Sequence, residues 1–432
     1  MSVAATSLPH PVGMARARSG PSRLFVHGAL FSTLFLQKFG ITLGGHSFLL
    51  LALPVCAALW AWMIFSGRAR INDRALILYA LLLCGVLLDA VIVSLSPGKL
   101  DNFSIPSLAL LTVLYSLFVF EPSEKFDTSI VVDIYLKYTL AFAFLGIFQY
   151  AAQFAGLRIS SLSTLFPALK PLLVEGFFNS NAVMEYGSNV IRSNAIFLGE
   201  PSALSQLLVF AIAIEVFAKK RFRFLPVYIV AYLTTFSGTG LLSLIVALVG
   251  SAFFSVKDAL RLPVIALGGA MLAGLIALLV PSVADSFTKR LGEFDASAVN
   301  SSAYSRYIAQ GRAWSDMIDD GSLWTGNGPG SFDRSYGTQG VASNPVLKLS
   351  HDYGVLPMAM CFVLIVTTIW LPHQRIISLL FLATFQLAGG SELNPSFLVP
   401  MLILCVWGFK YPFKRPRLPP VHAFAVSREM AM

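Results

Sequence analysis

Long apolar stretches separated by short polar connections fill most of the chain. Residues 48–65, 75–95, 263–280 and 354–371 are four examples, and each approaches the roughly 20 helical residues that cross a hydrocarbon core. Stretches of this length predict an all-α polytopic membrane protein with about twelve transmembrane helices and two long external loops. The predicted spans lie near residues 24–40, 48–66, 75–95, 105–120, 132–156, 198–217, 224–237, 239–256, 262–281, 352–371, 375–389 and 396–409.

The composition favours a chain that is surrounded by an apolar solvent. Hydrophobic residues make up 56% of the 432 residues and charged residues only 12%, whereas a soluble domain carries roughly 25% charged residues. The cysteines at positions 56, 84, 361 and 405 lie inside apolar stretches without paired spacing, which argues against disulfides and zinc sites. No small-residue cleavage site follows the first apolar segment, so the sequence predicts a retained helix rather than a signal peptide.

Basic residues mark alternate connections between the predicted spans. If the N-terminus is cytoplasmic, every inner connection contains Lys or Arg, as the positive-inside rule requires. This pattern, rather than nucleic-acid binding, accounts for the net charge of +9. It predicts that both termini are cytoplasmic. The predicted parts are a cytoplasmic tail at 1–23, a transmembrane bundle at 24–409 with external loops at 157–197 and 282–350, and a cytoplasmic tail at 410–432.

The first external loop ends in a polar segment where the sixth predicted span begins. It reads Arg192-Ser-Asn-Ala-Ile-Phe-Leu-Gly-Glu200-Pro201-Ser202. Pro201 suits the first turn of a helix, where the missing N–H has no partner in any case. Glu200 has two interpretations: it favours the positive end of the helix dipole, or it pairs with an arginine and orients a polar site at the membrane boundary. The segment by itself slightly favours the dipole.

The second external loop carries Arg306, Arg312 and the glycine-rich turn Gly326-Asn-Gly328-Pro-Gly330. Glycines let the backbone turn tightly and bring N–H groups toward an anion. No strand–turn–helix unit surrounds this turn, so it is not a dinucleotide fingerprint, and a plain turn is the commoner explanation. Both arginines are also compatible with ordinary solvated loop charges.

Three further polar features complete the set, and the first two lie on the same predicted side as the external loops. The Ser237-Gly-Thr-Gly240 break between the seventh and eighth spans is typical of a tight helical hairpin. His351 precedes the tenth span, where a histidine is more often structural than catalytic. Asp89 lies inside the third span; an ionisable residue there is a functional candidate by default, unless it lies close enough to the outer surface to be wet.

These segments together resemble the family of bacterial O-antigen polymerases and O-antigen ligases, with the related exopolysaccharide polymerases. The matching pieces are R-x-x-x-x-x-x-G-E-P-S from Arg192, the Ser-Gly-Thr-Gly break, an Arg followed by G-x-G-x-G from Arg306 to Gly330, and Asn344 to Gly354 before the tenth span. The resemblance covers roughly residues 130–410. Each motif is loose, and their order along the chain carries the match.

The resemblance implies a glycosyltransferase of the bacterial inner membrane that polymerises oligosaccharide repeats carried on a polyisoprenyl diphosphate. An acceptor hydroxyl would attack the anomeric carbon of the donor, and the lipid diphosphate would leave, without a metal, a nucleotide sugar or any other cofactor. The sequence has no Asp-x-Asp motif; arginines would stabilise the leaving group instead, because a guanidinium binds phosphate oxygens in pairs. The implied partners are membrane lipid and a chain-length regulator or other polysaccharide-assembly proteins. The candidate catalytic residues are Arg192, Glu200, Arg306 and His351, and the candidate substrate-binding residues are Arg312, Gly326, Gly328, Gly330 and Asn344.

Two alternatives remain open at the level of sequence. Ligases of this family often have His-Asn before the late span, whereas this chain has Ser343-Asn344; this departure favours a polymerase and leaves the general base open between His351 and Glu200. A transporter or lipid-linked sugar flippase is the alternative from another class. Transporters place ionisable residues near the bilayer midplane, but here Asp89 and Lys137 are the exceptions to a distribution at loops and helix ends.

Overall fold

The computed structural model describes residues 12–44, 47–96, 103–160, 162–174, 190–254, 260, 304–337 and 341–409. The ninth predicted span, residues 282–303 of the loop predicted to be external, and the C-terminal tail therefore lie outside the described residues. The described residues are mostly helical, with 74% helix and few strands, which confirms the helical fold class. The short strands are an addition that the all-α prediction did not include.

The α-helices of the described residues are α1 (Val12–Phe35), α2 (Ala52–Phe65), α3 (Asp73–Leu95), α4 (Ile105–Ser116), α5 (Ser129–Ala152), α6 (Leu162–Leu165), α7 (Pro201–Ala213), α8 (Leu225–Thr235), α9 (Gly238–Ala252), α10 (Gln310–Asp319), α11 (Ser322–Thr325), α12 (Ser331–Ser335), α13 (Pro345–Tyr353), α14 (Val355–Ile369), α15 (Arg375–Leu387) and α16 (Pro395–Leu402). Irregular helical turns continue or connect them at Leu117–Val119, Gln153–Ala155, Pro167–Leu172, Ile214–Lys219, Tyr304–Ile308, Ser391–Leu393 and Ile403–Gly408. Short polar side chains begin several of these helices. Asn72 accepts a hydrogen bond from the N–H of Ala75, and Ser104 accepts one from Ser107, as helix caps do.

Within the part of the chain that the structure describes, three helices are long and apolar enough to cross a membrane: Asp73–Leu95, Ser129–Ala155 and Pro201–Lys219. Further apolar helices of 10–17 residues accompany them. Only 28% of the apolar stretch in the helix Asp73–Leu95 is buried, whereas 72% of the stretch in Pro201–Lys219 is buried. Helix α3 therefore presents leucines such as Leu87 and Leu88 outward, whereas α7 lies inside the bundle. These apolar helices indicate a membrane protein.

In the described ranges, two pairs of short antiparallel strands lie between helices. Strand β1 (Gly40–Gly44) pairs with β2 (Ser47–Leu50), and β3 (Ala69–Ile71) pairs with β4 (Phe120–Pro122). The first predicted span accordingly ends as a helix at Phe35, and the second begins at Ala52. The tenth predicted span also differs, because Gly354 (φ +81°) separates α13 from α14.

Contacts between connections divide the bundle into two ends. We call one the cavity end; it contains residues 36–44, 47–51, 103–104, 153–160, 162–174, 190–200, 236–237, 304–337, 341–353 and 388–394. Contacts at this end include Lys38 Nζ to the Ile196 carbonyl (2.9 Å) and Ser104 N–H to the Pro329 carbonyl (2.8 Å). We call the other the basic end; it contains residues 66–72, 120–128, 219–224, 253–254, 370–375 and 409. There β3 pairs with β4, and Arg375 donates to the Phe254 carbonyl (3.0 Å).

Candidate functional site

Three separate segments meet at the cavity end around the guanidinium of Arg306. Its Nη1 donates a hydrogen bond to Thr239 Oγ1 (2.9 Å), and its Nη2 lies 3.8 Å from Glu200 Oε1. Ser202 Oγ donates to the same carboxylate oxygen. The side chains of Arg306 and Glu200 are 20% and 56% exposed, so this ion pair is loose and accessible. Glu200 directly precedes the first turn of α7 and also lies near Arg306, so the geometry is compatible with both interpretations of this residue.

A close approach of α9 to α7 positions Thr239 for this contact. A Cβ atom on Gly240 would lie 2.8 Å from the carbonyl oxygen of Ser205, so a larger residue would push the two helices apart. Ser205 Oγ also donates to Ser237 Oγ (3.2 Å). The predicted hairpin is thus confirmed, with Phe236 (φ +46°) in the left-handed conformation between α8 and α9.

A cavity of about 110 Å³ opens beside Arg306. Its walls come from the start of α10, the segment before α13 and the end of α15. Ser305 Oγ accepts a hydrogen bond from the N–H of Ala342 (3.1 Å), which holds the irregular turn carrying Arg306 against the segment before α13. The lining residues are Arg306, Gln310, Ser343, Asn344, Gln386, Leu387 and Gly389.

Asn344 lies in the wall of this cavity and also begins α13. Its Oδ1 accepts hydrogen bonds from the N–H of Leu347 (2.9 Å) and from Gln386 Nε2 (3.1 Å), and its Nδ2 donates to Gln310 Oε1. One side chain therefore connects α10, α13 and α15. The predicted substrate-binding residue is at the cavity, and these bonds fix the shape of the cavity wall.

The segment of Arg192 is attached to the same helical hairpin as Arg306. Its neighbour Ser193 donates its N–H to the carbonyl of Thr234 (2.9 Å), in the last turn of α8. Arg306 contacts Thr239, in the first turn of α9. The two arginine segments are more than a hundred residues apart in sequence. They therefore contact the two helices that one turn joins, α8 before the turn and α9 after it.

The glycine-rich turn binds a carboxylate of the protein itself. Gly330 N–H donates to Asp352 Oδ2 (3.1 Å), Phe332 N–H donates to Asp352 Oδ1 (2.8 Å), and Gly328 N–H donates to the Asp352 carbonyl (3.0 Å). Asp352 is only 1% exposed. The anion-binding geometry expected for the turn is present, and the anion is an internal aspartate.

Steric constraints explain why the turn contains glycines. Gly326, Gly328 and Gly330 have φ angles of +70°, +97° and +75°, which other residues rarely adopt. A Cβ on Gly326 would lie 2.9 Å from Asp89 Oδ1, and a Cβ on Gly330 would lie 2.8 Å from Ser107 Oγ. The turn therefore packs directly on α3 and α4, and Asp89 lies beneath it, 4% exposed.

His351 and Arg312 lie in different surroundings from Arg306. His351 is 4% exposed; its Nδ1 is 3.0 Å from Ser331 Oγ and its Nε2 is 3.4 Å from Asn327 Nδ2. Its ring packs edge-on against Phe332 and Tyr336, so the histidine contributes to the packing of the glycine-rich turn. Arg312 is on the exposed side of α10.

Glu392, which sequence analysis missed, is a buried carboxyl behind the cavity. It lies in the turn Ser391–Leu393 between α15 and α16, 1% exposed, and Ser343 Oγ donates to its Oε1 (3.4 Å). Burial raises the pKa of Glu392 to about 7, although Lys348 opposes this shift. Lys348 itself pairs with Asp333 (2.6 Å) and Asp352 (3.3 Å). The sequence offered one indication of this residue, because Glu392 is an acidic residue in the short connection between the last two predicted spans.

The described residues contain no group of three or more His, Cys, Asp or Glu side chains that could hold a metal ion. The arrangement present can bind an anion at Arg306 and hold hydroxyl and amide groups around a small cavity. Comparisons of the chain with protein-family models, with curated proteins and with solved structures found no match.

Proposed function

We propose that this protein is a membrane glycosyltransferase that polymerises oligosaccharide repeats linked to polyisoprenyl diphosphate into a surface polysaccharide. The observation that carries the proposal is the meeting of Arg306, Glu200, Thr239 and Asn344 around one cavity end. These residues belong to the four motifs that carry the resemblance to O-antigen polymerases. Four motifs from distant parts of the chain thus contribute side chains to one end of the bundle, as a shared site requires.

The chemistry of the cavity suits the leaving group. A guanidinium remains charged at any physiological pH and binds two phosphate oxygens in parallel. Arg306 is held by the neutral Thr239 hydroxyl and only loosely by Glu200, so its charge is not neutralised by a close carboxylate in these contacts. In this proposal Arg306 and Arg192 bind the diphosphate, and the residues of the cavity wall orient the acceptor sugar.

The proposal includes the twelve-span topology in a bacterial inner membrane, with the cavity end outside and both termini in the cytoplasm. The contacts within each end support it. Connections that alternate along the chain contact one another, as successive membrane crossings would require. Lys and Arg mark the basic end at residues 68–74 and 219–223, which the positive-inside rule assigns to the cytoplasm.

Cysteine labelling tests this orientation. In a variant without the cysteines at 56, 84, 361 and 405, Ser315→Cys on the exposed face of α10 should react with an impermeant maleimide in intact spheroplasts. The matched control is Glu124→Cys at the basic end, also exposed, which should react only after lysis. Labelling with the opposite preference would overturn the orientation.

Gel analysis of surface polysaccharide from a gene-deletion strain tests the activity. Loss of a polymerase should leave glycan of a single repeat length. Loss of a ligase should leave long glycan on the lipid carrier, and loss of a flippase should leave no glycan at the surface. Long surface polysaccharide identical to that of the parent strain would contradict the proposal.

A further inference from the structure

We infer that Glu392 is the final proton acceptor of the transfer step, and that the hydroxyl of Ser343 relays the proton to it from the cavity. This inference rests on the proposed glycosyl transfer. Ser343 lines the cavity together with Arg306. Its Oγ donates a hydrogen bond to Oε1 of Glu392, with 3.4 Å between the two oxygens. Glu392 lies behind the cavity wall. Such bonds are often long without substrate and shorten in the reactive complex.

The burial of Glu392 is unfavourable for stability, which points to another role. The residue is 1% exposed, and its Oε2 has no hydrogen-bond partner among the described residues. A buried polar atom without a partner destabilises the folded state. A purely structural carboxylate would be expected to have both oxygens bonded, as Asp352 does.

The surrounding charges keep Glu392 able to take up a proton. The nearby cation, Lys348, already pairs with Asp333 and Asp352. Desolvation raises the pKa of Glu392 to about 7, close to the value at which a general base works best near neutral pH. The ionisable groups that face Glu392 are Lys348 and Asp352 of α13, Asp333 of α12, Tyr115 of α4 and Cys361 of α14.

The proton movement balances the bond changes of the transfer. The oxygen of the acceptor hydroxyl forms a bond to the anomeric carbon of the donor. The bond from that carbon to the diphosphate oxygen breaks, and its electron pair leaves with the lipid diphosphate. The acceptor proton passes to Ser343 Oγ while the Ser343 proton passes to Glu392. The products are the new glycoside, free lipid diphosphate and protonated Glu392, which then loses its proton to water.

A pH–rate profile of the purified full-length protein tests this role. The substrate is the lipid-linked repeat extracted from the deletion strain, and the rate of glycan elongation is measured from about pH 5.5 to 8.5. For the wild type, the rate should fall as the pH drops through about 7, because Glu392 becomes protonated. Glu392→Gln should lower the rate by about 10²–10⁴-fold and remove this dependence; Glu392→Asp should restore part of both.

Thermal stability separates this role from a structural one. Folding raises the pKa of Glu392 from 4.5 to about 7. The contribution of this carboxyl to the free energy of unfolding therefore falls as the pH increases through that range. Glu392→Gln should therefore melt at the same or a higher temperature than the wild type at pH values above about 7. A lower melting temperature with an unchanged rate would make Glu392 structural and overturn the inference.

The control is Glu215→Gln, which removes an equally buried carboxylate, paired with Arg221 (3.0 Å) at the basic end. It should leave the shape of the pH–rate profile unchanged. If Glu392→Gln does not accumulate, the wild-type profile still decides: a flat profile between about pH 6 and 8 overturns the inference. If the wild type does not elongate the lipid-linked repeat at all, the proposed function fails first, and the inference fails with it.

Discussion

Replacing Arg306 with alanine is expected to lower polysaccharide elongation by about 10²–10³-fold while the protein still folds and inserts. One preorganised donor to a developing negative charge commonly contributes about 2.7–4 kcal/mol to the transition state. Arg306 is 20% exposed and is held by a hydrogen bond to Thr239 and a loose ion pair with Glu200, so the fold should tolerate its loss. Arg192→Ala should have a similar effect. The measurement is polysaccharide ladder length in the deletion strain, with each variant at matched membrane levels.

Two further variants give this prediction its controls. Arg306→Lys should restore activity only in part, because an ammonium keeps the charge but loses the parallel hydrogen bonds of the guanidinium. Arg312→Ala removes an exposed arginine from the same loop and should have a smaller effect than Arg306→Ala. Wild-type ladders from both Arg192→Ala and Arg306→Ala would make these residues solvated loop charges and remove the diphosphate site.

Asp352→Ala is expected to destabilise the folded protein by about 3–5 kcal/mol, because it removes the carboxylate from a buried ion pair. Asp352 accepts hydrogen bonds from the N–H groups of Gly330 and Phe332 and from the Ser331 hydroxyl. It also lies 3.3 Å from the buried Nζ of Lys348. Its loss leaves these donors without their acceptor. The melting temperature in detergent and the amount of protein in membranes should both fall.

Asp316→Ala is the matched control for this effect. Asp316 is an exposed carboxylate of the same loop, and it accepts a hydrogen bond from the Tyr336 hydroxyl (2.7 Å). Its loss should cost only about 1 kcal/mol. Equal melting temperatures for Asp352→Ala and the wild type would show that the glycine-rich turn does not depend on this internal anion.

Local sequence signals anticipated the elements that carry the site. Pro201 predicted the start of α7, and the Ser-Gly-Thr-Gly break predicted the α8–α9 hairpin, because proline and glycine act through backbone geometry that does not depend on distant contacts. The β1–β2 pair was not anticipated. A short apolar run fits a helix and a strand equally well, so only pairing with another segment decides between them.

The roles of individual polar residues depended on tertiary contacts that the sequence does not contain. Nothing local to Glu200 distinguishes a helix-dipole residue from a partner of Arg306, because the arginine comes from a distant segment. The glycine-rich turn was expected to face an external anion, and its N–H groups bond to Asp352. Glu392 was missed because its burial, and therefore its raised pKa, results from packing of the turn Ser391–Leu393 against α4, α15 and α16.

A transfer reaction with purified components tests directly whether the protein elongates lipid-linked glycan. Purified protein is incubated with the lipid-linked repeat extracted from the deletion strain, and both the glycan length and the free polyisoprenyl diphosphate are measured. We expect longer lipid-linked glycans and one released lipid diphosphate for each new linkage, with both signals strongly reduced by Arg306→Ala. Unchanged glycan length, with no lipid diphosphate released by the folded wild-type protein, would contradict the proposed function.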